Sequence, residues 1–275
     1  CGTRLPAAAR KRHWLARVSL LACMPMSTCP TEPGAGTLAA ALSAQGFAFV
    51  PGQMMRALLA QERGLGDWDA FADSWNRLTP DAYLAALGRQ RRRRFAVFRM
   101  GPESAPRRLE HQAHYQALQY NTLQGGIERW FDPVEADVAA SPAMESLLRF
   151  GHGLFGSLAA TCRSSRIEVH QFRIEAQPGS AGHPTPEGVH RDGVDFVLVL
   201  MIRRHNIASG TTTIHAPDGS RLGAFTLATP LDAALVDDRR VHHGVTPVHA
   251  IVPGEPAYRD VLVLTFRGEA GSAVT

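Results

Sequence analysis

The second half of the chain is a series of short apolar segments separated by turn residues, and this pattern constrains the fold more than any other. Glycines and Asp-Gly or Pro-Gly pairs interrupt the apolar runs at short intervals. Strands are predicted over residues 167–174, 196–202, 211–215, 223–227, 233–236, 241–251 and 258–266. Such a series is typical of an antiparallel sandwich or jelly roll and unlike a parallel α/β sheet.

The first half is predicted to be mainly helical. Apolar residues at helical spacing predict two amphipathic helices on either side of a short strand at residues 48–50, and further helical segments within residues 67–87 and 132–155. Met144, Leu147 and Leu148 lie on one face of the last of these. The predicted fold class is therefore α+β: a double-stranded β-helix (jelly roll, cupin-like) buttressed by N-terminal helices, as one domain over residues 36–275.

Residues 1–35 lack the pattern of folded structure, and we expect a disordered N-terminal extension. Their apolar stretch is shorter than the roughly 7 residues that a signal peptide needs, and we expect natural initiation near Met24 or Met26. No apolar run reaches the roughly 18 residues of a membrane span. We therefore expect no membrane partner.

Charge and cysteine usage narrow the functional classes. The net charge of +4 comes largely from the extension and from one arginine-rich run, residues 89–94, so nucleic-acid binding is not required. Cys162 is the one cysteine beyond the extension, so there is no disulfide framework or zinc spacing. This pattern fits a reducing compartment, and we expect a cytoplasmic protein.

One short motif carries the clearest chemistry. His190 and Asp192 stand two residues apart before a predicted strand, and in an extended chain such residues project from the same face. His243, on a later predicted strand, could bring a second imidazole to the same point. We prefer it to His242, because adjacent strand residues face opposite ways and Gly244 leaves space beside it. Two histidines and a carboxylate suit non-haem Fe(II), although a polar turn before a strand also produces His-x-Asp.

Three further sequence patterns each allow a functional and a structural interpretation. In the run of residues 91–94, alternate arginines share a face, so one pair could face a site, but a solvated basic edge is the preferred interpretation. Residues 151–156 match the glycine spacing of a dinucleotide site, yet a helical pattern precedes them, which argues against that site. Arg259 begins the last predicted strand and could pair with a buried carboxylate; Arg267 is its rival.

Taken together, several motifs resemble the 2-oxoglutarate and Fe(II)-dependent dioxygenases, in particular the bacterial branch that includes isoleucine dioxygenase and related free amino acid hydroxylases. The motifs are Tyr83 with residues 91–95, Tyr120-Asn121 with Gly125-Gly126, residues 170–173, 186–193 and 204–207, Asp237-Asp238 with residues 243–247, and residues 258–261. The chain departs from the pattern at residues 85–87, at Ser209-Gly210 and near Thr211. None of these departures touches the proposed ligands, but they leave the substrate open.

The resemblance implies an enzyme in which His190, Asp192 and His243 hold Fe(II) and Arg259 binds 2-oxoglutarate, with ascorbate as a further candidate cofactor. It implies hydroxylation of a small molecule, a free amino acid by preference, with release of succinate and CO2. The substrate carboxylate would meet an arginine such as Arg94, Arg129 or Arg173, and its ammonium would meet Glu187 or Asn121. Because histidines must be neutral to bind iron, we expect activity to fall at acid pH.

Two other classes stay open at this level. A cupin-like metalloprotein, either an isomerase or a dioxygenase that needs no 2-oxo acid, could use the same three ligands with zinc or manganese. A non-catalytic jelly-roll binding module would keep the fold without turnover. Homo-oligomerisation is also open.

Overall fold

The computed structural model describes residues 34–102, 104–159 and 164–269. The extension predicted over residues 1–35 lies outside the described residues except for its last two, and it stays a prediction. The helices are α1 (Ala35–Gln45), α2 (Gly52–Ala60), α3 (Trp68–Asp73), α4 (Ala82–Ala85), α5 (Ala136–Ala139) and α6 (Pro142–Leu158), with a 3-10 turn at Ser74–Arg77. Among the described residues, no helix combines the length and apolar character needed to cross a bilayer.

Local sequence explains the ends of the main helices. Gly46 stops α1 in a left-handed conformation (φ 80°), from which its N–H donates to the Leu42 carbonyl. Ser141 caps the start of helix α6, because its hydroxyl accepts from the Met144 N–H, and the helix begins at Pro142, where no amide proton is needed. These signals define where the helices can pack on the sheet.

The strands are β1 (Phe47–Val50), β2 (Thr79–Pro80), β3 (Arg91–Met100), β4 (Arg107–Arg108), β5 (His114–Tyr115), β6 (Glu128–Arg129), β7 (Ser164–Ala176), β8 (Phe196–His205), β9 (Ile207–Ser209), β10 (Thr211–His215), β11 (Arg221–Thr226), β12 (Ala233–Asp237), β13 (His242–Val245), β14 (Val248–Ala250) and β15 (Ala257–Glu269). A large antiparallel sheet has the order β1-β12-β8-β15-β7-β3-β2, and a smaller one has the order β11-β10-β13. This is the predicted double-stranded β-helix with its helical buttress.

Alternation along the strands separates two apolar layers. On β15, Leu262, Leu264 and Phe266 belong to the core shared with the helices, whereas Val261 and Val263 face the other side of the sheet. Helix α6 lies so close that a Cβ on Gly151 would be 2.3 Å from Cζ of Phe266. The glycine-spaced segment 151–156 is therefore part of a packed helix, as its context predicted.

The arginine run on β3 differs from its preferred interpretation. Strand β3 is paired on both sides, with β7 and with the short β2. Arg91 and Arg93 face the interior and line a cavity, whereas Arg92 faces outward and pairs with Glu175 at 3.2 Å. The expectation of a solvated basic edge was wrong for Arg91 and Arg93, because the strand is not an edge at these residues.

Candidate active site

Two segments of the chain meet through a pair of backbone hydrogen bonds. The N–H of His190 donates to the carbonyl of His243, and the N–H of His243 donates back, both at 2.9 Å. Directly opposed residues project to the same face, so the imidazole centroids lie 4.7 Å apart. The Asp192 carboxylate lies 3.5 Å from Nε2 of each ring. These three residues form the first cluster, in which one ligand atom from each residue lies within 4.8 Å of the others.

Strand alternation decides between the two adjacent histidines. His243 is buried and faces Asp192, while His242 is half-buried and pairs in register with His215. In the described part of the chain, Nδ1 of His243 has no hydrogen-bond partner, and Oδ1 of Asp238 lies 3.9 Å from it. The structure thus brings His243, and not His242, to the cluster.

The loop that carries Asp192 is fixed by a second carboxylate. Asp238 is fully buried and accepts the backbone N–H groups of Asp192, Gly193 and Val194 at 3.0, 2.8 and 3.2 Å. Nδ1 of His190 lies 3.0 Å from the Gly188 carbonyl, which holds the proton on Nδ1 and turns Nε2 towards the cluster. The ligand atoms are therefore positioned by their own neighbours.

The cluster is electrostatically suited to exchange a proton for a cation. Burial acts to lower the pKa of His190, but the hydrogen bond to Asp192 and the charges of Asp192 and Glu187 outweigh it and raise the pKa to about 10. Burial and the His190 charge lower the pKa of His243 to about 4. Burial also opposes ionisation of Asp192, yet the two imidazoles hold its pKa below the usual value. One imidazolium, one carboxylate and one neutral imidazole thus share the site.

Arg259 is a buried cation for which the described residues provide no ion pair. It is 2% exposed, and its Nε and Nη2 have no acceptor within the described ranges. Burial and the nearby Arg204 lower its pKa to about 9. Its rival Arg267 is already engaged, because Nη2 donates to the Gly193 carbonyl at 2.6 Å. Orphaned buried donors of this kind call for an explanation, and a bound anion provides one.

A cavity of about 280 Å³ connects these features. The first cluster and Arg259 line it, and β3, β7 and β15 contribute one wall. Part of the lining comes from residues 114–124, which we term the roof segment. This volume is close to the lower end of the range of about 300–1,000 Å³ for small-molecule sites.

Comparison with known proteins identifies the chain. A family model described as 2OG-Fe dioxygenase matches residues 72–265. The chain belongs to the 2OG-Fe dioxygenase family. This dioxygenase is 25% identical over 234 residues to the 3(1)-hydroxy-L-isoleucine 4-dioxygenase of Pantoea ananatis, covering 82% of this chain and 93% of the relative. It is 26% identical over 156 residues to the L-isoleucine-4-hydroxylase of Bacillus thuringiensis, covering 56% and 64%.

Among solved structures, the dioxygenase is similar to a bsmA homolog from Methylobium petroleophilum PM1. The TM-score is 0.78 at 36% identity, and the match covers 88% of this chain and 96% of the other. Family membership confirms the predicted fold class, the resemblance and the enzyme class, and it implies Fe(II) and 2-oxoglutarate as cofactor and co-substrate. It argues against both the cupin-like isomerase and the non-catalytic module.

The residues of the dioxygenase fit both groups. Two imidazole nitrogens and a carboxylate oxygen, with other sides left open, form a donor set that suits Fe(II). The unpartnered nitrogens of Arg259 suit a carboxylate of 2-oxoglutarate, because a guanidinium binds a carboxylate through two parallel hydrogen bonds. The first cluster and Arg259 are thus the residues that could hold them.

A second cluster of two histidines and one carboxylate lines the cavity, and the sequence analysis did not predict it. It consists of His114, Glu168 and His170, whose ligand atoms also lie within 4.8 Å of one another. Nδ1 of His114 lies 3.1 Å from Glu168, and Nε2 of His170 lies 3.8 Å from it. The Glu168-x-His170 spacing on β7 is the one available sequence signal, since His114 comes from a distant two-residue strand.

Neighbouring arginines make the second cluster a poor metal site. Nη2 of Arg93 lies 2.7 Å from Nδ1 of His170. Arginine can only donate, so Nδ1 must accept and the ring proton must sit on Nε2, the nitrogen that would face a metal. Arg166 also donates to Glu168 at 3.4 Å. A divalent cation would meet a blocked nitrogen and nearby positive charge.

Some of the predicted substrate-binding residues line the cavity and others do not. Arg129 and Glu187 line the cavity, and Glu187 lies 3.1 Å from Nε2 of His190. Asn121 also lines it, but its amide oxygen accepts from the Leu123 and Gln124 backbone N–H groups and its Nδ2 donates to Gln116. Its hydrogen bonds thus stabilise the roof segment.

Two other predicted arginines lie outside the cavity lining. Arg94 donates to the carbonyls of Arg77 and Pro133. Arg173 forms a bidentate pair with Asp260, with both distances 2.7 Å. The sequence could not show whether these two arginines face the cavity, because alternation along a strand does not tell which of its faces is interior.

The roof segment also contacts the loop of the first cluster. Nε2 of Gln116 donates to the backbone carbonyl of Asp192 at 3.3 Å and lies 3.4 Å from its carboxylate. The Tyr120 ring packs on Gly193, which has φ +78° and where a Cβ would lie 2.4 Å from the ring. Only glycine combines that backbone conformation with so close an approach.

Proposed function

We propose that this dioxygenase hydroxylates a free amino acid and consumes 2-oxoglutarate and dioxygen. In the balanced reaction, one oxygen atom enters the substrate C–H bond as a hydroxyl, and the other enters succinate as 2-oxoglutarate loses CO2. The observation that carries the proposal is the first cluster beside the unpartnered Arg259 in one cavity. The names of the relatives from Pantoea ananatis and Bacillus thuringiensis, which refer to isoleucine, support the substrate class.

In this proposal the residues have separate roles. His190, Asp192 and His243 hold Fe(II), which supplies the oxidising chemistry when bound. Arg259 binds and orients the distal carboxylate of 2-oxoglutarate. Asp238 keeps the Asp192 carboxylate in place through the three backbone N–H groups. The apolar residues of the lining, such as Phe172, limit the water that reaches the reacting atoms.

The test is a screen of each proteinogenic amino acid with Fe(II), ascorbate and 2-oxoglutarate in air. We expect a product with the mass of one added oxygen for at least one amino acid, together with stoichiometric succinate. Omission of 2-oxoglutarate and the Asp192→Ala variant are the controls, and both should abolish the product. Substrate-dependent succinate without any hydroxylated amino acid would refute the substrate assignment.

A further inference from the structure

Arg93 and Arg129 line the cavity, but the proposed function gives neither of them a role. Each is 2% exposed, yet each has a buried Nε without a hydrogen-bond partner in the part of the chain described. Burying an unsatisfied polar group is costly, and a charged group more so. These two guanidiniums therefore require an explanation beyond packing.

Among the described residues, no carboxylate is hydrogen-bonded to either guanidinium, although the charges of Asp81 and Glu168 act on Arg93 and those of Asp81 and Glu187 act on Arg129. Arg93 lies over Phe131, with its guanidinium carbon 3.5 Å from the ring centroid, and its bonded neighbour is the His170 imidazole. The carboxylate of Asp81 is 3.9 Å from Nη1 of Arg93, but two hydrogen bonds of 3.0 and 2.7 Å already bind it to Arg91. Arg129 donates through Nη1 to the neutral amide of Gln124 at 2.8 Å.

The other arginines of the same cavity are better satisfied. Arg91 has Asp81, Arg166 has Gln112 and Glu168, and Arg267 has the Gly193 carbonyl. Within the described lining, an orphaned buried Nε occurs on Arg93, Arg129 and Arg259. Among the arginines of this lining, orphaned buried nitrogens are therefore found at Arg259 and at the pair Arg93 and Arg129, whose guanidinium carbons lie 3.5 and 5.9 Å from the centroid of the Phe131 ring.

Strand register separates these two places. Arg93 pairs with Phe172 on β7, which in turn pairs with Val261 on β15, whereas Arg259 pairs with Ile174. Arg93 and Arg259 therefore lie two strands and two residues apart in the same wall, with Cα atoms about 12 Å apart at the usual spacings. Two separate anionic groups are needed to neutralise both places.

We propose that Arg93 and Arg129 form a second anion subsite, which binds the carboxylate of the substrate. The subsite rests on the proposed function, because that function assigns the other anion, 2-oxoglutarate, to Arg259. A planar carboxylate satisfies guanidinium donors that a neutral carboxamide leaves unpaired. The substrate class is therefore a carboxylic acid with a free carboxylate, such as an unmodified amino acid, and not its amide or ester.

Binding measurements test the subsite without turnover. The full chain, loaded with Fe(II) and 2-oxoglutarate under argon, is titrated with each proteinogenic amino acid and with the matching carboxamide by ligand-observed NMR. We expect at least one acid to bind and its carboxamide to bind at least about tenfold more weakly, because hydrogen bonds between charged partners are the stronger ones.

Variants assign the effect to the arginines. Arg129→Gln should weaken binding of the acid about 10- to 100-fold while leaving the carboxamide unchanged, and Arg129→Lys should restore part of the loss. Arg92→Gln is the matched control, since Arg92 is on the outer face of the same strand as Arg93. The Kd of 2-oxoglutarate and the thermal midpoint should stay at wild-type values in Arg129→Gln, which excludes misfolding.

The outcomes separate the two proposals. Equal affinity for acid and carboxamide, unchanged acid binding in Arg129→Gln, or no acid bound by the wild type would each overturn the subsite. Hydroxylation of an amino acid alongside any of these results would leave the proposed function standing. Arginine-dependent binding of an acid without any hydroxylation would support the subsite and overturn the hydroxylase proposal.

Discussion

Two groups of two histidines and one carboxylate line the same cavity, and their neighbours differ. In the first cluster the buried partner is a carboxylate, Asp238, which accepts backbone N–H groups. In the second the partners are guanidiniums, and Arg93 is bonded directly to His170. In the first cluster the pKa of His190 is raised to about 10 and that of His243 is lowered to about 4, whereas in the second cluster burial lowers the pKa of both His114 and His170. Ligand types alone do not define a metal site; the groups around them do.

The two clusters should differ most in iron binding when the carboxylate of each is removed in turn. We expect Asp192→Ala to lose iron and to lower the rate of succinate formation by more than about 100-fold, beyond the 10- to 100-fold cost of losing an outer partner. Glu168→Ala is the matched variant and should retain wild-type iron content. Iron is measured in the desalted protein after anaerobic loading. Iron loss in Glu168→Ala with retention in Asp192→Ala would reverse the assignment of the clusters.

The two candidate arginines for 2-oxoglutarate allow a second contrast. Arg259→Gln should raise the KM for 2-oxoglutarate by about 100-fold or more, because removing one partner of a buried charge pair costs about 3–5 kcal/mol. Arg267→Gln should change that KM by less than about threefold, because its hydrogen bond goes to a backbone carbonyl. Initial rates at varied 2-oxoglutarate measure both. A larger effect in Arg267→Gln would transfer the role to that residue.

Asp238→Asn tests whether Asp238 positions the loop that carries Asp192. The amide replaces one accepting oxygen by a donor, which opposes at least one of the three backbone N–H groups. We expect Fe(II) affinity to fall about 10- to 100-fold, with little change in the thermal midpoint of the metal-free protein. Wild-type affinity in this variant would show that the Asp192 loop needs no such anchor.

The last contrast concerns protons. At neutral pH His190 carries a proton in the metal-free protein, since its pKa is raised to about 10. A metal must displace that proton, so affinity should fall about tenfold per pH unit as the pH is lowered from about 8 to 6, with release of one proton per metal. Calorimetric Mn(II) titrations in buffers of different protonation enthalpy measure the release. Binding without proton release would contradict the charge state assigned to the first cluster.

Much of the fold was predictable because strand alternation and turn residues are local signals. The strand predicted over residues 211–215 matches β10, and the others shift by a few residues at their ends. The strand predicted over residues 241–251 is two strands, β13 and β14, because Pro247 lies between them and cannot donate to a ladder. The helices predicted within residues 67–87 are shorter and include a 3-10 turn.

Strand spacing by itself predicted the relative positions of only those site residues that are close in sequence. The His190-x-Asp192 spacing placed two side chains on one face without knowledge of the fold, and His243 needed the β-helix to bring it near. His114 lies in a two-residue strand that carries no periodic signal, so the second cluster was missed. Arg91 and Arg93 were paired correctly on one face, but which face is interior depends on β2 and β7.

The contacts of Gln116 and Tyr120 with the Asp192 loop link access to the cavity with the geometry of its reactive end. Movement of the roof segment away from the cavity would remove the Gln116 amide from Asp192 and the Tyr120 ring from Gly193 in one step. A ligand that displaced the roof segment would therefore also remove these contacts of the Asp192 loop. A ligand that keeps the roof segment in contact with the Asp192 loop would also stabilise the position of the Asp192 carboxylate.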